Sequence, residues 1–131
     1  MENTALYSIQ KKIVEIINDN TDLEVSGGFD EVDQKQSYPL IQVGEPIENR
    51  FDTFDRIGKD VIFQIHIWSK YQGYKEAYEI LDKLNELLDY QDIEIENFDT
   101  VYIRADEVNA VRTNREFRQI IVNYRVIVQS G

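Results

Sequence analysis

The chain of 131 residues contains no cysteine, which removes disulfides, thiolate metal sites and thiol nucleophiles at once. Zinc fingers and thiol enzymes are excluded, and either redox compartment suits it. Histidine occurs once, so neither a histidine-dependent triad nor a two-histidine metal site can be built within one chain. That residue, His66, sits mid-strand by its pattern, between Gln64 and Trp68. None of Ser8, Ser26, Ser37, Ser69 and Ser130 lies in a Gly-x-Ser-x-Gly elbow, and the six glycines form neither a phosphate-cradling loop nor a dinucleotide fingerprint. No catalytic, cofactor-binding or metal-ligating residue is expected. No run approaches the roughly 18 apolar residues of a membrane span, and Met1-Glu2-Asn3-Thr4 lacks the basic start of a signal peptide. A water-soluble protein made and working first in the cytoplasm is expected, with no membrane partner.

Basic residues are also few, 14 against 25 acidic, for a net charge of −11. Attachment to the outside of a nucleic acid depends on Lys and Arg neutralising phosphates, so this balance argues against it. The deficit is uneven. Residues 101 to 131 hold five basic and three acidic side chains, whereas the first hundred hold nine and 22. Such asymmetry can steer one end of a chain towards the other end of an identical copy, or pair sheet with helix internally.

What is present is periodic. Ala5, Leu6, Ile9, Ile13, Ile16 and Ile17 recur at three- and four-residue steps and predict an amphipathic helix over about 4–18. Gly27-Gly28 then predicts a turn before a short strand at Phe29 and Val32. Tyr38 to Val43 has strand composition, with Pro39 confining it to a strand start or an edge. From Val61 to Trp68 the alternation is clearest, Val61, Phe63, Ile65 and Ile67 on one face and Ile62, Gln64, His66 and Trp68 on the other. Ser69 is the expected N-cap of a second helix with the stripe Tyr74, Ala77, Tyr78, Leu81, Leu84 and Leu88, and Glu79 and Lys83 as an exposed pair. After Ile93 and Ile95, strands are expected over Val101 to Ala105 and Ile120 to Val128. The order suits one α+β domain over 1–131, an antiparallel or mixed sheet of about four to five strands with two helices on one face. Two long charged loops are expected at about 46–59 and 106–119.

Carboxylates cluster at Asp30, Glu31 and Asp33 and at Asp52, Asp55 and Asp60. With 25 acids in the chain such clusters arise by chance, and no calcium-loop spacing is present, so solvated loop charge is the expectation. The aromatics are more informative. Phe51 and Phe54, flanked by Arg50 and Arg56, sit in a loop that needs no apolar residue unless it covers a surface. Arg112, Arg115, Phe117 and Arg118, with Val111, form a similar set in the second loop. Aromatics and arginine are enriched at protein interfaces, so these residues, together with Trp68, are the candidate contacts. Two helices cover one sheet face only, which leaves Ile62, Trp68, Ile121 and Ile127 opposite, among His66, Asn123 and Arg125. An apolar patch of that kind marks a contact with another protein, unless a loop or the N-terminal segment covers it.

The landmarks follow a familiar order: an N-terminal helix, Tyr38-Pro39-Leu40-Ile41 leading into Val43-Gly44-Glu45, then Ile65-His66-Ile67-Trp68-Ser69, then Lys70-Tyr71-Gln72-Gly73-Tyr74-Lys75-Glu76-Ala77 opening the long helix. Over nearly its whole length the chain resembles the tail completion proteins of long-tailed bacteriophages and prophages, of the tail-terminator and tail-to-head-joining group. The resemblance implies a structural role, with no catalytic residue and no cofactor. It implies a ring, typically a homohexamer, that sits at the head-proximal end of the virion tail after assembly in the host cytoplasm. Its partners would be copies of itself, the tail tube protein and the head connector, with DNA only as cargo in the channel. A monomer in solution before assembly is compatible with this. From other classes, an acidic DNA mimic that inhibits a DNA-binding protein is the alternative, and an enzyme would need a carboxylate pair among Asp30, Asp52 and Asp55.

Overall fold

The computed structural model describes residues 4–20, 28–29, 38–44, 46–52, 54, 56–70, 73–112 and 117–130. In chain order the elements are α1 (Leu6–Asp19), β1 (Gly28–Phe29), β2 (Leu40–Val43), β3 (Ile47–Arg50), β4 (Gly58–Ser69), α2 (Lys75–Leu88), β5 (Phe98–Arg112) and β6 (Arg118–Ser130). All strands join one sheet in the order β1-β2-β4-β6-β5, with β3 paired to β4 beside β2. Five strands pair antiparallel, and the two-residue β1 lies parallel to β2. The fold is α+β, as the alternating and helical periods predict.

The frame is the β4–β6 pair, in register from Gly58↔Gln129 to Ser69↔Arg118. Phe63 faces Tyr124, Ile65 faces Val122 and Ile67 faces Ile120, so the odd positions of β4 and the even positions of β6 form one face. Each of these six facing side chains is buried. On that face lie Ile9, Ile13 and Ile17 of α1 and Ala77, Ile80, Leu81, Leu84 and Leu88 of α2, all in a single apolar cluster. A fully buried Ile or Leu gains about 1.5–3 kcal/mol over an exposed one, so the helix stripes are held by transfer from water more than by propensity.

Several expectations are corrected. The helix does not begin at Ser69. The ladder to β6 claims the chain through that residue, and the N-cap position falls at Tyr74. The Ser69 hydroxyl instead donates to Glu76 Oε1 at 2.7 Å, which ties the strand end to the first turn of α2. Tyr78 is exposed and stacks on Tyr74, while Ile80 takes the buried place. Both predicted loops contain strand: 47–50 pairs with 59–62, and 106–112 belongs to β5. Charge along these segments hides the ladder that satisfies their backbone groups. Val32 lies outside the described residues, and Phe29 does form a strand. Pro39 directly precedes β2, consistent with its missing donor.

At the turn into β4, Gly58 permits a close approach. A Cβ there would stand 2.1 Å from the Phe51 carbonyl oxygen, and the Phe51 N–H donates to the Gly58 carbonyl at 2.8 Å. Only glycine closes this β3–β4 turn without displacing backbone.

Candidate functional site

The sheet face away from the helices carries the apolar group expected there. Ile62, Trp68 and Ile121 are half-buried there, and Ile127 is fully buried. Leu40, also buried, pairs with Trp68 across β2 and β4.

At one end of the β4–β6 ladder an aromatic group assembles around Trp68. The Phe117 ring meets Trp68 edge-on at 6.1 Å, Tyr38 lies 5.1 Å from Phe117, and His66 stacks on Trp68 at 6.5 Å. Trp68 Nε1 donates to Gln42 Oε1 at 3.2 Å. The Lys70 ammonium stands 4.8 Å from the Tyr38 ring centroid and 5.5 Å from that of Phe117, within cation–π reach of both. His66 contacts Gln64 through Nε2 and Gln119 through Nδ1, and burial holds its pKa below the usual histidine value. Among the described residues, its two ring nitrogens contact amide side chains and no carboxylate.

Arg118 and Arg112 belong to this same end. Arg118 is buried, its guanidinium 5.9 Å from the Tyr74 ring, so it packs within the molecule. Arg112 is exposed at the tip of β5, and Arg115 lies outside the described residues.

The second group lies at the opposite end of the ladder. Twelve residues of β4 at about 3.3 Å each place it roughly 35 Å away. Phe54 is fully exposed and Phe51 is exposed beside it. Arg50 pairs with Asp52 at 3.0 Å, and Asp52 Oδ1 accepts the Gly58 N–H at 3.2 Å. Arg56 pairs with Asp99 and donates to the Ser130 carbonyl. The Ser130 N–H donates to the Ile57 carbonyl at 2.8 Å, so this loop is pinned to the end of β6. Two phenylalanines are thus presented on a braced turn.

Between the two ends the open face carries a charge ladder. Arg104 Nε lies 2.6 Å from Asp106, Arg125 Nε lies 3.2 Å from Asp106 and 3.5 Å from Asp60, and Arg104 also covers the Tyr102 ring at 4.9 Å. Asp60 Oδ1 and Arg125 Nε are enclosed without completing a well-aligned hydrogen bond, so their contact is Coulombic. These pairs, with Asp52–Arg50, account for two of the acids singled out as a possible cluster. Asp30, Glu31, Asp33 and Asp55 lie outside the described residues. Among the described residues no group of three potential ligands is placed to hold a metal, and no helix is long and apolar enough to cross a membrane.

Sequence reasoning named Trp68 and Phe117 but missed Tyr38, Gln42, Lys70 and Gln119 as their neighbours. Only the register of β2 and β6 against β4 reveals that set.

The described residues form a helix-backed sheet with an open face and aromatic groups at both ends. The family model of tail completion protein gp17 matches residues 18–129, and the chain belongs to that family. It is a phage tail structural protein by that membership. In fold it is similar to a chain from the virion of a native gene transfer agent particle, with a TM-score of 0.87 at 14% identity over 98% of this chain and 100% of that one. No curated protein sequence matches it significantly. The family match begins at Asn18, so α1 lies almost wholly outside it while the sheet and α2 lie within.

Proposed function

We propose that the chain caps the tail tube at its head-proximal end and joins it to the head connector, as a ring of identical subunits through which DNA passes. The observation that carries this reading is the placement of two candidate contact groups at opposite ends of one rigid ladder, Phe51 and Phe54 at one and Trp68 and Phe117 at the other. A subunit that mates with a tube below and a connector above needs two such ends held at fixed spacing. Antiparallel pairing unbroken over twelve residues of β4 supplies that stiffness. Membership of a tail completion family supports the same role, and the fold's likeness to a chain of a gene transfer agent virion is consistent with it.

Charge agrees with a conduit. A net charge of −11 gives no general grip on phosphates, so duplex DNA would pass the wall without being retained. Assembly would take place in the host cytoplasm, and the product would remain in the virion tail.

The test is electron microscopy of the purified full chain mixed with isolated tail tubes. Caps at one end of each tube are expected, and head-binding activity of capped tubes should exceed that of bare ones. Tubes that stay uncapped at saturating protein would sink the proposal.

A further inference from the structure

Among the described residues the sheet has an outer strand on each side, and the two edges are guarded unequally. β5 is the outer strand over its whole length among those residues. An outer strand offers unpaired N–H and C=O groups to any passing strand, and soluble proteins usually break such edges with bulges or charges. The first half of β5 is broken in this way, by irregularities at Thr100/Tyr102 and Ala105/Glu107 and by the Arg104–Asp106 pair. From Glu107 to Arg112 the register with β6 is continuous. The intervening Val108-Asn109-Ala110-Val111 has no charge and no proline, with Val108 and Val111 exposed at 44% and 36%. On the other side of the sheet, β3 pairs only with β4 among the described residues, and Ile47 is 62% exposed.

We propose that residues 107–112 of β5 pair antiparallel with β3 of a second copy of this chain, so that the sheet continues from subunit to subunit. This deepens the ring reading and rests on it. A second copy is the occupant because the two edges belong to opposite sides of one sheet and match each other. Three antiparallel steps, β3 to β4 to β6 to β5, make β3 and β5 run in opposite directions, so a copy moved sideways presents β3 antiparallel to β5. Ile47 and Val111 both lie on the open face, while Glu48 and Arg112 both lie on the helix side. With Ile47 opposite Val111, the two exposed aliphatics meet and Glu48 falls diagonal to Arg112, an opposite-charge neighbour. The helices of both copies then stay on one side. Val111 is level with Trp68 and Ile47 with Ile62, so each junction is offset along the strands, as a closing sheet requires. A heterologous contact of this type repeats until the ring closes.

The absence of cysteine makes the test specific. In the double variant Ile47→Cys/Val111→Cys the two thiols of one molecule lie three strand spacings apart, at least roughly 14 Å at about 4.8 Å each, beyond the ~7 Å reach of a disulfide. Any bridge between positions 47 and 111 therefore joins two molecules. The full-length double variant, mixed with tail tubes and mildly oxidised, should give a ladder of covalent multimers. Each single variant should give dimers at most, and Ile47→Cys/Asp99→Cys should give no ladder. Capped tubes without a ladder in the Ile47→Cys/Val111→Cys protein overturn the proposal. Should that variant fail to fold, amide exchange of the natural chain decides: residues 107–112 should slow at least tenfold on assembly. Unchanged exchange in rings seen by microscopy removes this pairing and leaves the ring reading intact. Absence of rings from the natural chain on tubes removes both.

Discussion

The Glu48 carboxylate accepts a hydrogen bond from the Ala5 N–H at 2.8 Å, joining β3 to the start of α1 across 43 residues. An N-terminal helix amide has no partner within its own helix, and a carboxylate there also opposes the positive end of the helix dipole. Glu48→Ala should therefore cost about 1 kcal/mol of stability, and Glu48→Gln less, because the amide oxygen still accepts. Urea midpoints of the three proteins check the order. Equal midpoints for all three would remove the capping role.

Tyr124 is buried opposite Phe63, and its hydroxyl donates to Asn85 Oδ1 of α2. Burial first and the Asp89 charge second push its pKa above the ordinary tyrosine value. The folded chain thus favours the protonated phenol. Stability from this source is intact below about pH 10, where the unfolded tyrosine titrates, and declines as pH rises further. Tyr124→Phe should cost roughly 1–2 kcal/mol at neutral pH by leaving the Asn85 oxygen without its donor, and should flatten the alkaline decline. Denaturant titrations from pH 7 to 11 distinguish the two proteins.

His66 shows the opposite dependence. Burial lowers its pKa, so the fold favours the neutral ring. The contribution is complete above about pH 6.5, the unfolded value, and is lost as pH falls through the lower folded value. His66→Gln should keep the contact possibilities with Gln64 and Gln119 while removing this acid-side loss. Urea midpoints between pH 7.5 and 5 should fall more steeply for the natural chain than for the variant.

Phe54 gives a clean separation of folding from docking. Because its side chain is fully exposed, Phe54→Ala should change stability by less than about 0.5 kcal/mol. Capping of tail tubes should weaken at least tenfold if the residue anchors a contact. Trp68→Ala should affect both, since Trp68 also packs on Phe117 and bonds Gln42. A Phe54→Ala protein that caps tubes like the natural chain would remove Phe54 from the interface.

Much of the frame was legible locally. Ile9, Ile13 and Ile17 follow the helical period, and Val61, Phe63, Ile65 and Ile67 alternate, because burial on one side imposes those spacings on any sequence. The helix phase was only partly legible: Tyr78 fits the stripe as well as Ile80 does, and the difference is which side chain reaches the sheet. Ser69 looks like a cap by residue type, yet sheet pairing outcompeted the helix for its backbone. Charged residues 47–50 and 106–112 read as loop because ladder hydrogen bonds are made with distant partners and leave little trace in composition.

The sequence alone determined the family of this protein: the order of its landmarks marked a tail completion protein, and the absence of cysteine with a single histidine removed thiol chemistry and histidine triads. Tertiary structure decided where its candidate contacts lie. Register across β2, β4 and β6 gathers Tyr38, Trp68, Lys70 and Phe117 at one end, and the β3–β4 turn braces Phe51 and Phe54 at the other. Pairing between residues far apart in the chain depends on which strands find each other, and that is a property of the packed core, not of any local stretch.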